Sequence, residues 1–533
     1  FSPITATDFP RKPCCSLARS LCLRLLAAAD SFSETGARAA IPKSSSGYPS
    51  YFMHKELSKD AAVYFISFFI PAVTGIFSIP IITNLISPDE YGRYVLLLSS
   101  ANLLAMMGTG WIGASILRFY NRYESTQIDT FNSSIFGLSI LASLISLVIA
   151  VFLFQLDADV LSPDLMVLGI LLFLGIAWYN MVGYFARAQR HVVLFSIIKI
   201  INSILGVAVG VGLCVYYDVG TEGLVWGLIV SNYLSFLLLV IYTKFQFSVQ
   251  NKHDILAIIK QVARYGLPLI IVNAVSWMLV WADRYILGIL KDNVQVGIYS
   301  ASYGLADKSI IAIVTVFKLA AMPLAFKTWE TGSRQDSEAF ISNLARFFLL
   351  ICVPLLAMLN ALAEPIVQVM TEAQYHAGYK IIPFISLGSF FLGLQVLYSI
   401  GLSFHNKTKW MMYYNIIGII VNAVLNILFI PTYGYMAAAA STFVTMLVVF
   451  LISLFVSRLY FKWTFPIFSF VRICLSAAVM SLANVMIYRF FHVPQLLSLI
   501  FAMLSGFLVY GAVLIMLREV KLDELQKLLG KSL

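Results

Sequence analysis

Leu85-Ile86-Ser87-Pro88-Asp89-Glu90-Tyr91-Gly92-Arg93-Tyr94 is a polar turn between two apolar runs, near residues 61–86 and 94–117. A helical span needs roughly 20 predominantly apolar residues to cross about 30 Å of hydrocarbon, and both runs are of that length. Working outward, further apolar runs lie near 131–154, 163–186, 192–217, 223–243, 266–290, 296–325, 340–363, 380–404, 410–430, 435–457, 466–490 and 493–517. With 60% hydrophobic and 12% charged residues, the chain carries more apolar surface than a soluble domain of 533 residues would bury. The class implied is all-α, a polytopic membrane protein of about 14 transmembrane helices. Barrels are excluded because the runs are helix-length, and in lipid only helices or closed barrels satisfy their own backbone.

The first 52 residues, rich in Ser, Ala, Pro and Arg, do not share this pattern. Met53, followed by His54-Lys55-Glu56-Leu57, reads as a natural start, which makes 1–52 a non-core segment expected to arise by read-through from upstream. The other reading is a transit peptide, suited by the short basic amphipathic stretch around Arg19 and Arg24. The six cysteines show no zinc or thioredoxin spacing and read as free thiols, with no disulfide framework.

If the segment at Met53 is cytoplasmic, only Arg93, Lys291, Lys380 and Arg489 among the loop and tail cations fall outside. Arg118, Arg122, Arg187, Arg190, Lys244, Lys252, Lys260, Arg264 and the remaining loop cations fall inside, as do those of both tails beyond residue 52. This alternation is what the positive-inside rule asks, so both ends are expected in the cytoplasm. The net charge of +10 is then a topology signal, not a nucleic-acid footprint.

The first turn is echoed about 205 residues later, where Gly288-Ile289-Leu290 leads into Val296-Gly297-Ile298-Tyr299. A second echo joins Thr221-Glu222-Gly223-Leu224 to Tyr433-Gly434-Tyr435-Met436. Two pseudo-repeat lobes of six helices are therefore expected, at 53–250 and 251–463, with helices 13 and 14 at 464–517 and a tail at 518–533. Each half has an even number of spans, so the halves share orientation, and parallel repeats place substrate at their interface.

The turn at 85–94, Ala282-Asp283-Arg284-Tyr285-Ile286-Leu287-Gly288 in helix 7, and the 14-span plan resemble the Wzx-like, polysaccharide-transporter flippases of the multidrug/oligosaccharidyl-lipid/polysaccharide exporter superfamily. The resemblance covers roughly residues 58–460. It implies a bacterial inner-membrane protein that moves an undecaprenyl-diphosphate-linked oligosaccharide, such as an O-antigen, capsule or exopolysaccharide unit, by alternating access. It implies a lipid-linked oligosaccharide, membrane lipid, and a glycan polymerase and glycosyltransferases as partners; nucleic acid and cofactors are not expected. Two other functions remain in view. A cation-coupled multidrug exporter, or one for another lipid precursor, would share the superfamily, but a drug exporter would want unpaired acids and here mid-span cations outnumber them. A glycan polymerase would be an enzyme, yet no outward loop exceeds about 20 residues, the common catalytic patterns are absent and the histidines are scattered without metal spacing.

Charges inside spans are costly, about 2.5–3.5 kcal/mol each on insertion scales, so they face protein interior or a wet cavity. The candidates are Lys199, Arg284, Lys308, Lys318 and Arg472, with Asp283 and Asp307 as acids. Fixed cations are what a diphosphate needs when it loses water. Against this, helices 7 and 8 form a hairpin turning near residue 295, which sets Asp283 beside Lys308 and Arg284 beside Asp307 as two structural ion pairs. Lys199 and Lys318 have no such partner and either line a cavity between the halves or snorkel. Arg472 is expected to snorkel. Asn273, Trp277, Trp281 and Arg284 share one face of helix 7, a surface for stacking sugar rings or a packing and belt surface. Arg118, with Arg187 and Arg190, stands at the cytoplasmic entrance, either to meet the diphosphate or to set topology.

Overall fold

The structure is a computed structural model that describes residues 50–123, 125–156, 163–243, 245, 252–490 and 494–520. The expectation placed on residues 1–52 falls outside these except for its last three positions. Fourteen helices are long and apolar enough to cross a membrane, and no strand occurs among the described residues. They are α1 (Ser50–Thr83), α2 (Pro88–Arg122), α3 (Ser125–Leu156), α4 (Pro163–Ala188), α5 (Val192–Tyr217), α6 (Gly220–Thr243) and α7 (Lys252–Leu290). The second series is α8 (Asn293–Thr331), α9 (Arg334–Ala361), α10 (Ile382–Phe404), α11 (Lys409–Tyr433), α12 (Tyr435–Tyr460), α13 (Ile467–Phe490) and α14 (Gln495–Met516). Helix α2 contains a π-helical turn at Met106–Gly110, and α10 is entered through a 3-10 segment, Ala373–Ile381. The protein is a multi-pass membrane protein.

The observed helices follow the apolar runs, with one large difference. Helix α7 begins at Lys252, well before the run at 266–290. Residues 252–265 are too polar to register as a span, yet Ile258 and Val262, one turn apart, are buried in the same apolar cluster as Trp111, Ile112 and Phe185 of the first half. An amphipathic extension outside the hydropathy run therefore carries α7 onto the other lobe.

The two halves are built alike. In the first, α1 packs on α5, α2 on α4, and α6 on both α4 and α5; in the second, α7 packs on α11, α8 on α10, and α12 on both α10 and α11. Helices α13 and α14 pack on each other, and α13 leans on α9. Behind α14, the buried Glu519 carboxylate accepts from Arg346 Nε of α9 at 2.7 Å and from Arg472 Nη1 of α13 at 3.4 Å. Arg472 thus has a carboxylate partner in the segment after the last helix. Cys214, Cys352 and Cys474 are free.

The halves meet along a seam that is closed at both ends. At the end where α1 runs into α2, the repeat seen in the sequence becomes a two-fold contact. Ser87 caps α2 by accepting from Glu90 N, and Asp292 caps α8 by accepting from Gln295 N at 2.8 Å. The backbone of Gly92, four residues into α2, lies on the carbonyl of Asn293, while Gly297 of α8 lies on the carbonyl of Pro88. Each helix start rests on the glycine of the other, at a separation a Cβ would not permit. The third residue of each helix also reaches its own half. Glu90 lies on Gly220, the first residue of α6, and its carbonyl accepts from Thr221 Oγ1 at 3.0 Å. Gln295 Oε1 lies on Gly434 and accepts from Tyr435 N at 3.2 Å. Both Gly220 and Gly434 have φ in the left-handed region, +49° and +57°. Tyr375 closes this end further by donating to the Ile86 carbonyl at 2.9 Å.

At the opposite end the seam is closed by side chains. Gly266 of α7 accommodates Trp111 and Ser115 of α2. The Arg118 guanidinium lies 4.2 Å over the Tyr265 ring, and Tyr123 donates to Gln261 Oε1 at 3.0 Å.

Candidate functional site at the seam between the halves

The hairpin of α7 and α8 carries most of the intramembrane charge. Its turn is at Lys291-Asp292, earlier than the residue-295 apex expected from sequence, because the Asp292 side chain caps α8 there. That shift undoes the expected pairing. With the turn at 292, Asp283 lies opposite residues near 300, and Asp307 is about seven residues further down α8, roughly 10 Å along the axis. Asp283 does not pair with Lys308, nor Arg284 with Asp307. Asp283 and Arg284 instead pair with each other, Nη1 to Oδ1 at 2.9 Å, with side chains 6% and 4% exposed.

This buried pair is surrounded by partners from its own half. Tyr299 of α8 donates to Asp283 Oδ2, and Thr442 of α12 donates to the same oxygen at 3.4 Å. Arg284 Nη1 also donates to the Val280 carbonyl at 2.7 Å. Its guanidinium lies 4.2 Å from the Tyr303 ring centroid and 4.6 Å from that of Trp281. Arg284 Nε has no partner among the described residues.

One level down, Asp307 and Lys308 point to different elements. Asp307 Oδ1 accepts from Ser389 of α10 at 2.6 Å, inside the second half. Lys308 Nζ crosses the seam and donates to the Gly75 carbonyl of α1 at 2.8 Å. Since α1 is a helix, that carbonyl gains a charged donor beyond its helical bond.

The polar face of α7 also reaches the seam. Asn273 approaches Gly110 in the π-helical turn of α2. Trp277 packs at 5.4 Å on Tyr285, whose hydroxyl donates to Leu96 O of α2 at 3.1 Å and accepts from Ser99 at 3.0 Å. The Trp277 indole N–H is buried without a partner among the described residues. Trp281 lies under Arg284 instead.

Lys199 and Lys318 are not brought together. Lys199 Nζ stands 3.2 Å over the Phe68 ring, between α5 and α1. Lys318 is exposed and borders a small void with Phe317, Phe348 and Gly393, entirely within the second half. The expected cavity shared by these two lysines is therefore corrected: one faces α1, the other α9 and α10. Arg187 is held inside the first half, over Tyr184 at 4.3 Å and Phe195 at 4.9 Å.

Sequence reasoning missed Tyr299, Tyr303, Thr442, Ser389 and Gly75. An inventory of charges passes over neutral donors and backbone carbonyls. Only Tyr299 carried a signal, as the last residue of the echoed Gly297-Ile298-Tyr299.

Residues 81–378, from the end of α1 through the seam helices into the approach to α10, match the model of a family described as polysaccharide biosynthesis protein. The chain belongs to this family. Over 179 residues it is 26% identical to an uncharacterized membrane protein, MJ1068, of Methanocaldococcus jannaschii; the match covers 31% of this chain and spans about a third, 34%, of that relative. Among solved structures, the family member is similar to the lipid II flippase MurJ in an inward closed conformation. That likeness has a TM-score of 0.69 at 18% identity, over 86% of this chain and 99% of that one. It is also similar to a multidrug resistance MATE family transporter of the MOP superfamily in an inward-facing conformation, with TM-score 0.57 and 12% identity over 74% and 97% of the chains. A MOP superfamily transporter from Pyrococcus furiosus gives 0.54 and 13% over 76% and 95%. At these identities, what the family member shares with the three is their fold.

Proposed function

We propose that this protein is an exporter that carries an oligosaccharide linked to undecaprenyl diphosphate across the bacterial cytoplasmic membrane by alternating access at the seam. The observation that supports this reading most is how charge is distributed across the seam. The acids stay within the second half, Asp283 on Arg284, Tyr299 and Thr442, and Asp307 on Ser389. Beside the neutral hydrogen bonds that cross the seam, the charged side chains that cross it are cations: Lys308 on the Gly75 carbonyl and Arg118 on the Tyr265 ring. Parting the halves therefore frees positive charge and no carboxylate, which suits a diphosphate and disfavours an organic cation. Asn273 and the indole of Trp277, which has no hydrogen-bond partner among the described residues, lie on the same face, where they offer neutral donors to sugar hydroxyls.

Lys308→Gln and Arg118→Gln should each lower glycan export at least about tenfold, the scale of one charge-assisted contact, while leaving thermal stability in detergent close to wild type. Wild-type export by both variants would refute the reading, and so would export of ethidium-type cations that the substitutions improve.

The reading places both ends and the loops after α2, α4, α6, α8, α10 and α12 in the cytoplasm, on the strength of the Lys and Arg bias. Tyr217, exposed at the end of α5, should then face outward. A Tyr217→Cys protein should react with an impermeant maleimide in intact cells with a permeabilised outer membrane. Labelling only after the cytoplasmic membrane is broken would reverse the orientation.

A further inference from the structure

The joint where α2 and α8 begin is two-fold, but what covers it is not. In the first half α3 and α4 are joined by residues 157–162 alone, whereas the equivalent connection of the second half, between α9 and α10, runs over residues 362–381. It folds into a short helix, Ala363–Met370, and the 3-10 segment Ala373–Ile381. This strap is braced within itself: Thr371 Oγ1 donates to the Val367 carbonyl at 2.7 Å, and the Glu372 carboxylate accepts from Gln374 N at 3.0 Å. Its body is fixed to its own half. Gly378 lies on the Ser302 side chain and the Ile298 carbonyl of α8, where a Cβ would overlap Ser302 Oγ, and the Ala377 carbonyl accepts from the Tyr435 hydroxyl of α12 at 3.4 Å. From that base Tyr375, fully buried, reaches across the seam. Its hydroxyl donates to the Ile86 carbonyl at 2.9 Å, and its ring stands edge-on to Tyr91 with centroids 6.1 Å apart. The Ile86 carbonyl lies in the turn between α1 and α2, outside both helices, and accepts from no backbone N–H among the described residues. Water can take over that bond when this end opens, so the contact is able to form and break with the seam.

We infer that residues 362–381 are a one-sided bolt: Tyr375 withdraws from between Ile86 and Tyr91 when this end of the seam opens, and re-enters when it shuts. The inference goes beyond the reading of the cargo and stands whatever is carried, because it concerns only how the second half grips the first. The two glycines set how closely α2 and α8 approach, and Tyr375 adds a bias toward the closed state. A neutral hydrogen bond and an edge-on ring pair together supply a factor of about ten.

The test uses the full chain in nanodiscs, with spin-label pairs at both ends of the seam: Asp89 with Val294 beside the bolt, and the exposed Asn121 with Arg264 at the opposite end. Tyr375→Ala should raise the population at long 89–294 distances about tenfold and leave the 121–264 distance unchanged or shorter. Tyr375→Phe, which keeps the ring on Tyr91 and gives up only the hydroxyl bond, should fall between Tyr375→Ala and wild type. Tyr375→p-benzoylphenylalanine, cross-linked by light to the Ile86 turn, should hold the closed 89–294 distance and stop export, a result that a general loss of stability would not give. Wild-type distances in Tyr375→Ala, widening of both ends alike, no cross-link to the Ile86 turn, or continued opening of the cross-linked protein each overturns the bolt. Distances that behave as expected in a protein that exports no glycan uphold the bolt and refute the exporter reading alone.

Discussion

Valine in place of Gly297, or of Gly92, should prop open the end of the seam where α2 and α8 begin and stop export. Each glycine lies against a backbone carbonyl of the opposite helix, Gly297 on Pro88 and Gly92 on Asn293, so a side chain there meets an atom that no rotamer change can move. Overpacking of this kind costs about 1–3 kcal/mol, enough to shift an equilibrium between closed and open states roughly 5–150-fold. Spin labels at Asp89 and Val294 should report a lengthened distance in either variant. Gly75→Ala is the control, because its Cβ would meet the flexible end of Lys308 at 3.0 Å and should be accommodated. A wild-type distance together with wild-type export in Gly297→Val would show that the close approach has no part in gating.

The second large effect is expected at the Asp283–Arg284 pair. Asp283→Asn or Arg284→Gln alone strands a buried charge and should destabilise the protein by roughly 3–5 kcal/mol, read as a lower melting temperature and poor recovery from the membrane. The double variant removes both charges and should regain most of that loss while Tyr299 and Thr442 keep a polar partner at position 283. Exchanging charges between Arg284 and Asp307 should rescue nothing, since they are not a pair. A double variant no more stable than either single one would mean that the ion pair is not what holds this site together.

Much of this fold is legible from the chain, for a physical reason. Lipid leaves only helix-length apolar runs as spans, and the cap residues Ser87 and Asp292, with Glu90 and Gln295 three positions on, are local signals of where α2 and α8 begin. The echo of about 205 residues likewise reflects a real contact, because Gly92 and Gly297 occupy equivalent places in it. The site was less legible. Depth matching located Asp283, Arg284, Asp307 and Lys308 in one hairpin but paired them wrongly. An error of three residues in the apex moves a partner by about two turns, and a long arginine folds onto its own neighbour as readily as across a hairpin. Lys308 reached a backbone carbonyl of another lobe, which no pattern of charges reveals. The start of α7 was hidden because a hydropathy run does not register an amphipathic segment whose partner is protein.

The reciprocal rest of two helix starts on two glycines has one more consequence. It is an isologous contact, of the kind two copies of one surface make about a two-fold axis. A six-helix chain with a single such turn, capped like α2 and tied to its sixth helix through a left-handed glycine, would hold both sides of the joint and could close against its own twin. Fusing two such chains end to end keeps the joint and releases each copy to diverge. Glu90 and Gln295 already differ by a charge while each lays a side-chain oxygen on the left-handed glycine of its own half.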